Sequence, residues 1–312
     1  MEFPDGRRFA FTILDDTDDS TLENVRPVYA RLAELGMRTT KTVWPVDCPE
    51  GSRNYFAADT LARPEYLAWV KELIAAGFEL GSHGATMEGS LRERTEQGLA
   101  LLEREFGHLP RLFVNHGENT ENLYWGIERF HSWLGRGVAR RIGGHRAGAF
   151  CGEDERSPYF WGDLCRRHIE YVRNFTFSTL DALEVNPEMP YSLESTPYVR
   201  FWFSTTDAPD VDEFKARLTP AAIDRLEARG GVCIVSTHLG KGFTRDGRLD
   251  PEVDAILVDL AGRNGWFVPV STVLDHLRDR GAGQAPSRAA LWRLELRYLA
   301  DQVARRWQAR RR

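Results

Sequence analysis

The chain is 312 residues long, with 42% hydrophobic residues and a formal net charge of −5, enough to bury a large core in one barrel or in two smaller domains. That charge gives no electrostatic drive toward nucleic acid, and no apolar run approaches the length of a membrane span. The opening MEFPDGRRF lacks the basic-then-apolar build of an export signal, so a cytoplasmic location is expected. Cys48, Cys151, Cys165 and Cys233 show no paired spacing and are expected as reduced thiols.

The first unit is FAFTILDDTDDSTLE, residues 9–23. The β-prone Phe11–Leu14 runs into Asp15 and Asp16, so a buried strand delivers two carboxylates at its carboxyl edge, where α/β enzymes keep their chemistry. Adjacent strand residues point to opposite faces, but a turn of the backbone at the strand's exit could bring both acids to the cleft. Apolar residues at Leu22, Val25, Val28, Tyr29, Leu32 and Leu35 then mark a helix closed by Gly36. Arg38–Trp44 reads as a second strand, and Pro45–Asn54 as a surface loop. A helix over Pro64–Ala76 precedes a third strand, FELGS, that delivers His83. The spacing predicts a helix over Ser90–Phe106 capped by Ser90, and a fourth strand, Arg111–Asn115, that delivers His116.

Asn122–Leu134 is predicted helical and Gly135–Gly152 irregular. Ser157–Arg167 reads as helix, Glu170–Phe177 and Tyr198–Ser204 as strands, and Val211–Arg229 as one helix. Gly231–Thr237 is a strand that delivers His238, followed by a helix over Pro251–Asn264, a strand at Trp266–Val270 and a helix at Ser271–Arg280. About eight strands alternating with helices predict an α/β fold: a (β/α) barrel, TIM-like and distorted, of seven or eight strands. It would occupy residues 1–280, with a basic amphipathic helix over 281–312. That helix is expected either to pack on the barrel or, through 288–309, to touch a membrane surface or a partner.

Strand ends in a barrel converge on one face, so Asp15, Asp16, His83, His116, Arg173, Asn174, Asp207 and His238 could share one cleft. One Asp and two His suffice for a hydrolytic metal with a position left for water, and a second carboxylate could take that water's proton. Trp125, Trp161, Tyr171 and Trp202 are candidate stacking surfaces for a pyranose ring, with Asn115, Asn174 and Asp207 as polar substrate contacts.

FTILDDTDD, GFELGSHGATM, LFVNHGEN and GVCIVSTHL, in that order over residues 9–280, resemble the polysaccharide deacetylase superfamily, the NodB-homology or carbohydrate esterase type. PYFWGDLC, YVRNFTF and GWFVPVST are similar to a divergent branch encoded with O-antigen and other surface-polysaccharide genes. The resemblance implies that Asp15 is the catalytic base, Asp16 and His83 are metal ligands, and His238 is the general acid. In two places the chain departs from it. Met87 stands four residues after His83, where the family has its second histidine, and the family's arginine before the third motif is missing. His116 could replace the lost ligand, so that Asp16, His83 and His116 hold the metal with Arg173 steadying Asp15; otherwise Glu88 supplies an oxygen, or no metal is held tightly.

Asp16-x-Asp18 also fits the nucleophile loop of haloacid-dehalogenase-type phosphatases, although the downstream acid pair that loop needs is missing. An EF-hand is excluded by Thr21 and Pro27 at its glycine and glutamate positions. The expected activity is metal-dependent removal of an N-acyl group from a nucleotide- or lipid-linked sugar in surface-polysaccharide biosynthesis, with a divalent metal, zinc, as the expected ion. A sugar-binding or scaffold protein on a decayed deacetylase fold is the alternative.

Overall fold

The computed structural model describes residues 2–52, 58–142 and 148–309. Its strands are β1 (Phe9–Asp15), β2 (Thr40–Val43), β3 (Glu79–Ser82), β4 (Leu112–Phe113), β5 (Tyr171–Phe177), β6 (Phe201–Asp207) and β7 (Val232–Thr237). A small hairpin, β8 (Thr244–Arg245) and β9 (Arg248–Leu249), precedes β10 (Gly265–Trp266). β1 to β7 run parallel in chain order, and pairing of β1 with β7 closes them into a barrel. β10 and β2 share the other edge of β1: β10 pairs with Phe9 and Ala10, β2 with Leu14 and Asp15. The eighth strand is thus a wedge at the amino end, and the expected distorted TIM-like barrel is present.

Period-two alternation divides the strand residues between two cores. Ala10 and Leu14 of β1 and Val232 and Ile234 of β7 belong to one; Phe9, Phe11, Ile13, Cys233 and Val235 pack with helical residues such as Tyr29 in the other. The alternation persists to the strand's last residue. Asp15 continues the odd series toward the helix layer, and Asp16 continues the even one toward the barrel axis.

Several elements differ from expectation. Asn122–Leu134 is not a continuous helix: it forms turns and a 3-10 segment, Gly126–Arg129, and the helix begins at Trp133 and runs to Ile142, inside the stretch expected to be irregular. The 143–147 part of that stretch, and residues 53–54 of the expected surface loop, lie outside the described residues. Val211–Arg229 is two helices, Val211–Arg217 and Pro220–Arg229, because Pro220 cannot continue the first and Thr219 caps the second. Ser90 caps nothing: its N–H donates to Glu121 Oε2 and the helix starts at Arg92. The strand expected at Tyr198–Ser204 is shifted to Phe201–Asp207, and that expected at Trp266–Val270 shortens to Gly265–Trp266. The capping box at Thr21 secures the first helix, Leu22–Glu34.

The C-terminal helix, Arg288–Ala309, packs on the barrel. Leu294, Tyr298 and Leu299 join its core, Ser178 N–H donates to Asp301 at 3.0 Å, and Arg305 pairs with Asp207. The helix therefore lies along the carboxyl ends of β5 and β6.

Beneath the acidic loop lies a buried ion pair. Lys41 Nζ is 2.8 Å from Asp15 Oδ2, and both side chains have 0% exposure. Burial alone would push the Lys41 ammonium down, but the Asp15 carboxylate outweighs it and the net shift is upward. Removing one partner of such a pair strands the other charge, at a cost of about 3–5 kcal/mol. Lys41→Met is therefore expected to destabilise the fold by about that much in urea denaturation, and a loss below about 1 kcal/mol would contradict the assignment.

Candidate metal centre

Asp15 is fully engaged. Its Oδ2 accepts from Lys41 and from the Tyr29 hydroxyl at 2.9 Å, and its Oδ1 accepts from Leu239 N–H at 2.9 Å. Directed away from the cleft and saturated, it is not placed to take a proton from substrate. The strand did not rotate at its exit, so the expectation that both acids face the cleft fails at Asp15.

Asp16 occupies the position expected of Asp15. Arg173 Nη1 donates to its Oδ2 at 2.6 Å, Ser236 Oγ lies 3.3 Å from the same oxygen, and Arg173 also bonds Ser236. Its Oδ1 is buried without a hydrogen-bond partner. Burial pushes this carboxyl up, but Arg173 and then His83 and His238 outweigh it, and the net shift is downward. A one-residue bulge in β5 between Arg173 and Thr176 lies beside the guanidinium that makes this contact.

Asp18, rather than Asp16, meets the histidines. His83 Nε2 is 3.3 Å from Asp18 Oδ1, while His116 Nε2 and His238 Nε2 are 3.4 and 3.3 Å from Oδ2. Donor atoms of Asp18, His83 and His116 all lie within 4.8 Å of one another. The loop that carries Asp18 is held from below and from the side: Thr17 N–H donates to Thr42 Oγ1, Lys41 to Ser20 Oγ, and Asn24 Nδ2 to the Asp19 carbonyl. Asp19 has φ 56°, and a Cβ on Gly240 would collide with its carbonyl, so that turn depends on glycine opposite it.

The far nitrogen of each imidazole settles its tautomer. His83 Nδ1 donates to the Val114 carbonyl at 2.9 Å and His238 Nδ1 to the Pro209 carbonyl at 2.6 Å. His116 Nδ1 meets Asn119 Oδ1 at 2.9 Å, and that amide is oriented because its Nδ2 donates to the Thr86 carbonyl and to Glu121 Oε1. Carbonyl oxygens only accept, so Nδ1 carries a proton in each ring; toward Asp18 a neutral ring turns an Nε2 lone pair and a protonated ring an Nε2–H. Lone pairs facing a carboxylate repel unless protons or a cation lie between them. Burial pushes His83 down past the pull of the carboxylates, whereas at His116 and His238 burial is outweighed by Asp18 and the shift is upward. Burial would raise Asp18, but the three imidazoles hold it far below the carboxylate range.

This donor set fits a metal. Around a tetrahedral ion with bonds of about 2.0–2.1 Å, ligand atoms stand about 3.4 Å apart, which is the spacing of His83 and His116 from Asp18. Trp44 packs 4.8 Å from the His83 ring and 5.3 Å from the His116 ring and forms the wall that orients both. Glu88 has no part in the cluster.

The other expected residues are dispersed. Asn115 clamps the Leu123 backbone through both amide atoms, and Asn174 bonds Arg129 and Tyr191. Trp161 and Trp202 are core, their indole N–H groups donating to the Glu121 carbonyl and to Thr196; Tyr171 is likewise buried. Trp125 carries the Arg129 guanidinium 3.9 Å over its ring, and Asp207 is taken by Arg305. Of these aromatics Trp125 alone is half-buried rather than buried.

No protein-family profile matches the chain, and no curated protein matches it. Solved structures do. A probable polysaccharide deacetylase from Pseudomonas aeruginosa PAO1 superposes with a TM-score of 0.50 at 13% identity, over 83% of this chain and 73% of that one. Puue allantoinase superposes with a TM-score of 0.51 at 12% identity, over 89% of this chain and 93% of that one. The chain carries the fold these proteins share. Within that fold the site differs from sequence expectation at three positions: Asp16 for Asp15 beside the arginine, Asp18 for Asp16 among the histidines, and Trp44 with Asn119 and Glu121 as unforeseen supports. Trp44 ends a predicted strand before Pro45 and was open to notice; the Asn119–Glu121 relay left no local signal.

Isothermal titration with zinc or cobalt is expected to show one ion per chain, with binding abolished in His83→Ala and His116→Ala. Retention of full affinity in His116→Ala would contradict the cluster. Asn119→Leu frees His116 Nδ1 and is expected to weaken the ion by about 10–100-fold; unchanged affinity would remove the relay from the account.

Proposed function

We propose that the chain is a metal-dependent hydrolase that removes an N-acyl group from a sugar. One observation carries this reading: a carboxylate oxygen without a partner, on Asp16, and a tethered imidazole, His238, flank the Asp18–His83–His116 donor set. The fold likeness to a probable polysaccharide deacetylase supports the C–N bond as target and a saccharide as substrate class. Surface-polysaccharide biosynthesis is the setting that the sequence resemblance suggests.

Asp18, His83 and His116 would hold the ion. When bound, a divalent ion polarises an acyl oxygen and lowers the pKa of water. Asp16 Oδ1 takes a proton from the attacking water. Arg173 and Ser236 hold Oδ2, so that the free oxygen stays aimed into the cleft and charged. His238 acts in its protonated form: with Nδ1 fixed by the Pro209 carbonyl, it presents Nε2–H to the leaving nitrogen and gives up that proton as the C–N bond breaks. The proton taken at Asp16 and the proton given at His238 leave acid and amine as products.

Released acetate from N-acetylated hexosamine oligosaccharides and from a nucleotide-linked N-acetyl sugar, assayed with added zinc or cobalt, tests the reading. Asp16→Asn and His238→Ala are each expected to lower kcat by about 10²–10⁴-fold, and a chelator to abolish turnover. Asp16→Asn protein as active as the native chain would overturn the base assignment, and metal-free protein that binds these sugars without turning them over would establish the binding-protein alternative.

A further inference from the structure

Of the seven large apolar side chains that stand exposed among the described residues, five are Trp133, Leu134, Trp292, Leu296 and Trp307. Ser132 N–H and Oγ bond Glu295, and the space beside Gly135 is filled by the same carboxylate. The start of the Trp133–Ile142 helix therefore lies against the middle of the C-terminal helix at Glu295, and Trp133 (80% exposed) and Leu134 stand exposed at that junction.

The outward face of the C-terminal helix is unusual in what it lacks. Ala289, Trp292, Arg293, Leu296, Arg297 and Ala300 are exposed, and no carboxylate stands among them. The helix's two acids both point inward: Glu295 has 0% exposure, and Asp301 is spent on Ser178 and Arg305. Off the helix, Glu184 of the Ala182–Val185 segment and Glu188 line the same cavity as Arg293 and Arg297, and Glu184 is paired with Arg229. From residue 288 to 312 there are eight arginines against those two acids, in a chain whose net charge is −5. A solvated helix face is ordinarily mixed in sign; this helix itself contributes only alanine, tryptophan, leucine and arginine to it. No helix among the described residues is long and apolar enough to cross a membrane.

We propose that this face docks on an anionic lipid bilayer, with Trp133, Trp292 and Leu296 entering the headgroup boundary and Arg288 and Arg293 meeting lipid phosphates. Charge complementarity selects this occupant: arginines without carboxylates suit a surface of uniform negative charge, and tryptophan suits the interface between water and acyl chain. The inner face of the same helix reaches the Thr176 carbonyl, Ser178 and Asp207 at the carboxyl ends of β5 and β6. Docking therefore puts the carboxyl ends of β5 and β6, behind this helix, on the bilayer side. The inference stands independently of the hydrolase reading.

Co-sedimentation of the full chain with phosphatidylcholine vesicles, pure or mixed with phosphatidylglycerol, tests it. Binding to the mixed vesicles is expected to exceed that to pure phosphatidylcholine by about tenfold or more, to fall with added salt, and to shift tryptophan emission to the blue. A Trp133→Ser/Trp292→Ser/Leu296→Ser variant should lose it, with zinc affinity unchanged as the test that it is folded. Absence of vesicle binding by the native chain, or equal binding by a folded variant, would overturn the proposal. Concentration-dependent self-association without vesicle binding would also overturn it and make the face a protein interface.

Discussion

The site depends on one stereochemical constraint: adjacent residues of a strand face opposite ways to its very end. In β1 this sends Asp15 into the helix layer, where Lys41 and Tyr29 claim it, and leaves Asp16 on the barrel axis beside Arg173 and Ser236. The two neighbours thus have separate tasks. Asp15 anchors the ammonium that also holds Ser20 at 3.2 Å, and so fixes the loop from below; Asp16 keeps one oxygen free. Two residues further on, after the loop has turned, Asp18 is the acid that reaches the histidines.

The three imidazoles come from loops after β3, β4 and β7, and each is tied at Nδ1 by an acceptor on a different segment: the Val114 carbonyl, the Asn119 amide and the Pro209 carbonyl. Such second contacts cost no strain at the moment of reaction and leave the Nε2 lone pairs preorganised. Burial makes the arrangement expensive without positive charge at its centre, carried by protons on the imidazoles or by a cation between them, since Asp18 Oδ1 is buried without a hydrogen-bond donor. Bound cation and ordered site are in this sense the same thermodynamic statement.

The barrel and the convergence of strand-end residues were legible because both follow from period: apolar strands alternate with amphipathic helices, and a histidine stands past three of them. The division of labour within DDTDD was not. It depends on Lys41 and Tyr29, which are ordinary members of their own segments and meet Asp15 only when β1, β2 and the Leu22–Glu34 helix pack together. The aromatic platforms failed for a related reason, since Trp161 and Trp202 sit at strand ends in sequence yet spend their indole N–H groups inside the core. In the C-terminal helix Trp292, Leu296, Leu299, Val303 and Trp307 form an apolar stripe, but the packed side is centred on Leu294, Glu295 and Tyr298. A buried carboxylate that bonds His131 and Ser132 rotated the helix away from the most apolar register.

The most direct test of this account is an anomalous difference map from crystals of the zinc- or cobalt-loaded chain. The account predicts one peak per chain, in bonding contact with Asp18 and with Nε2 of His83 and His116, while Asp15 remains on Lys41. A peak bonded to Asp15 or Asp16 instead, or a featureless map from protein soaked in excess ion, would contradict it.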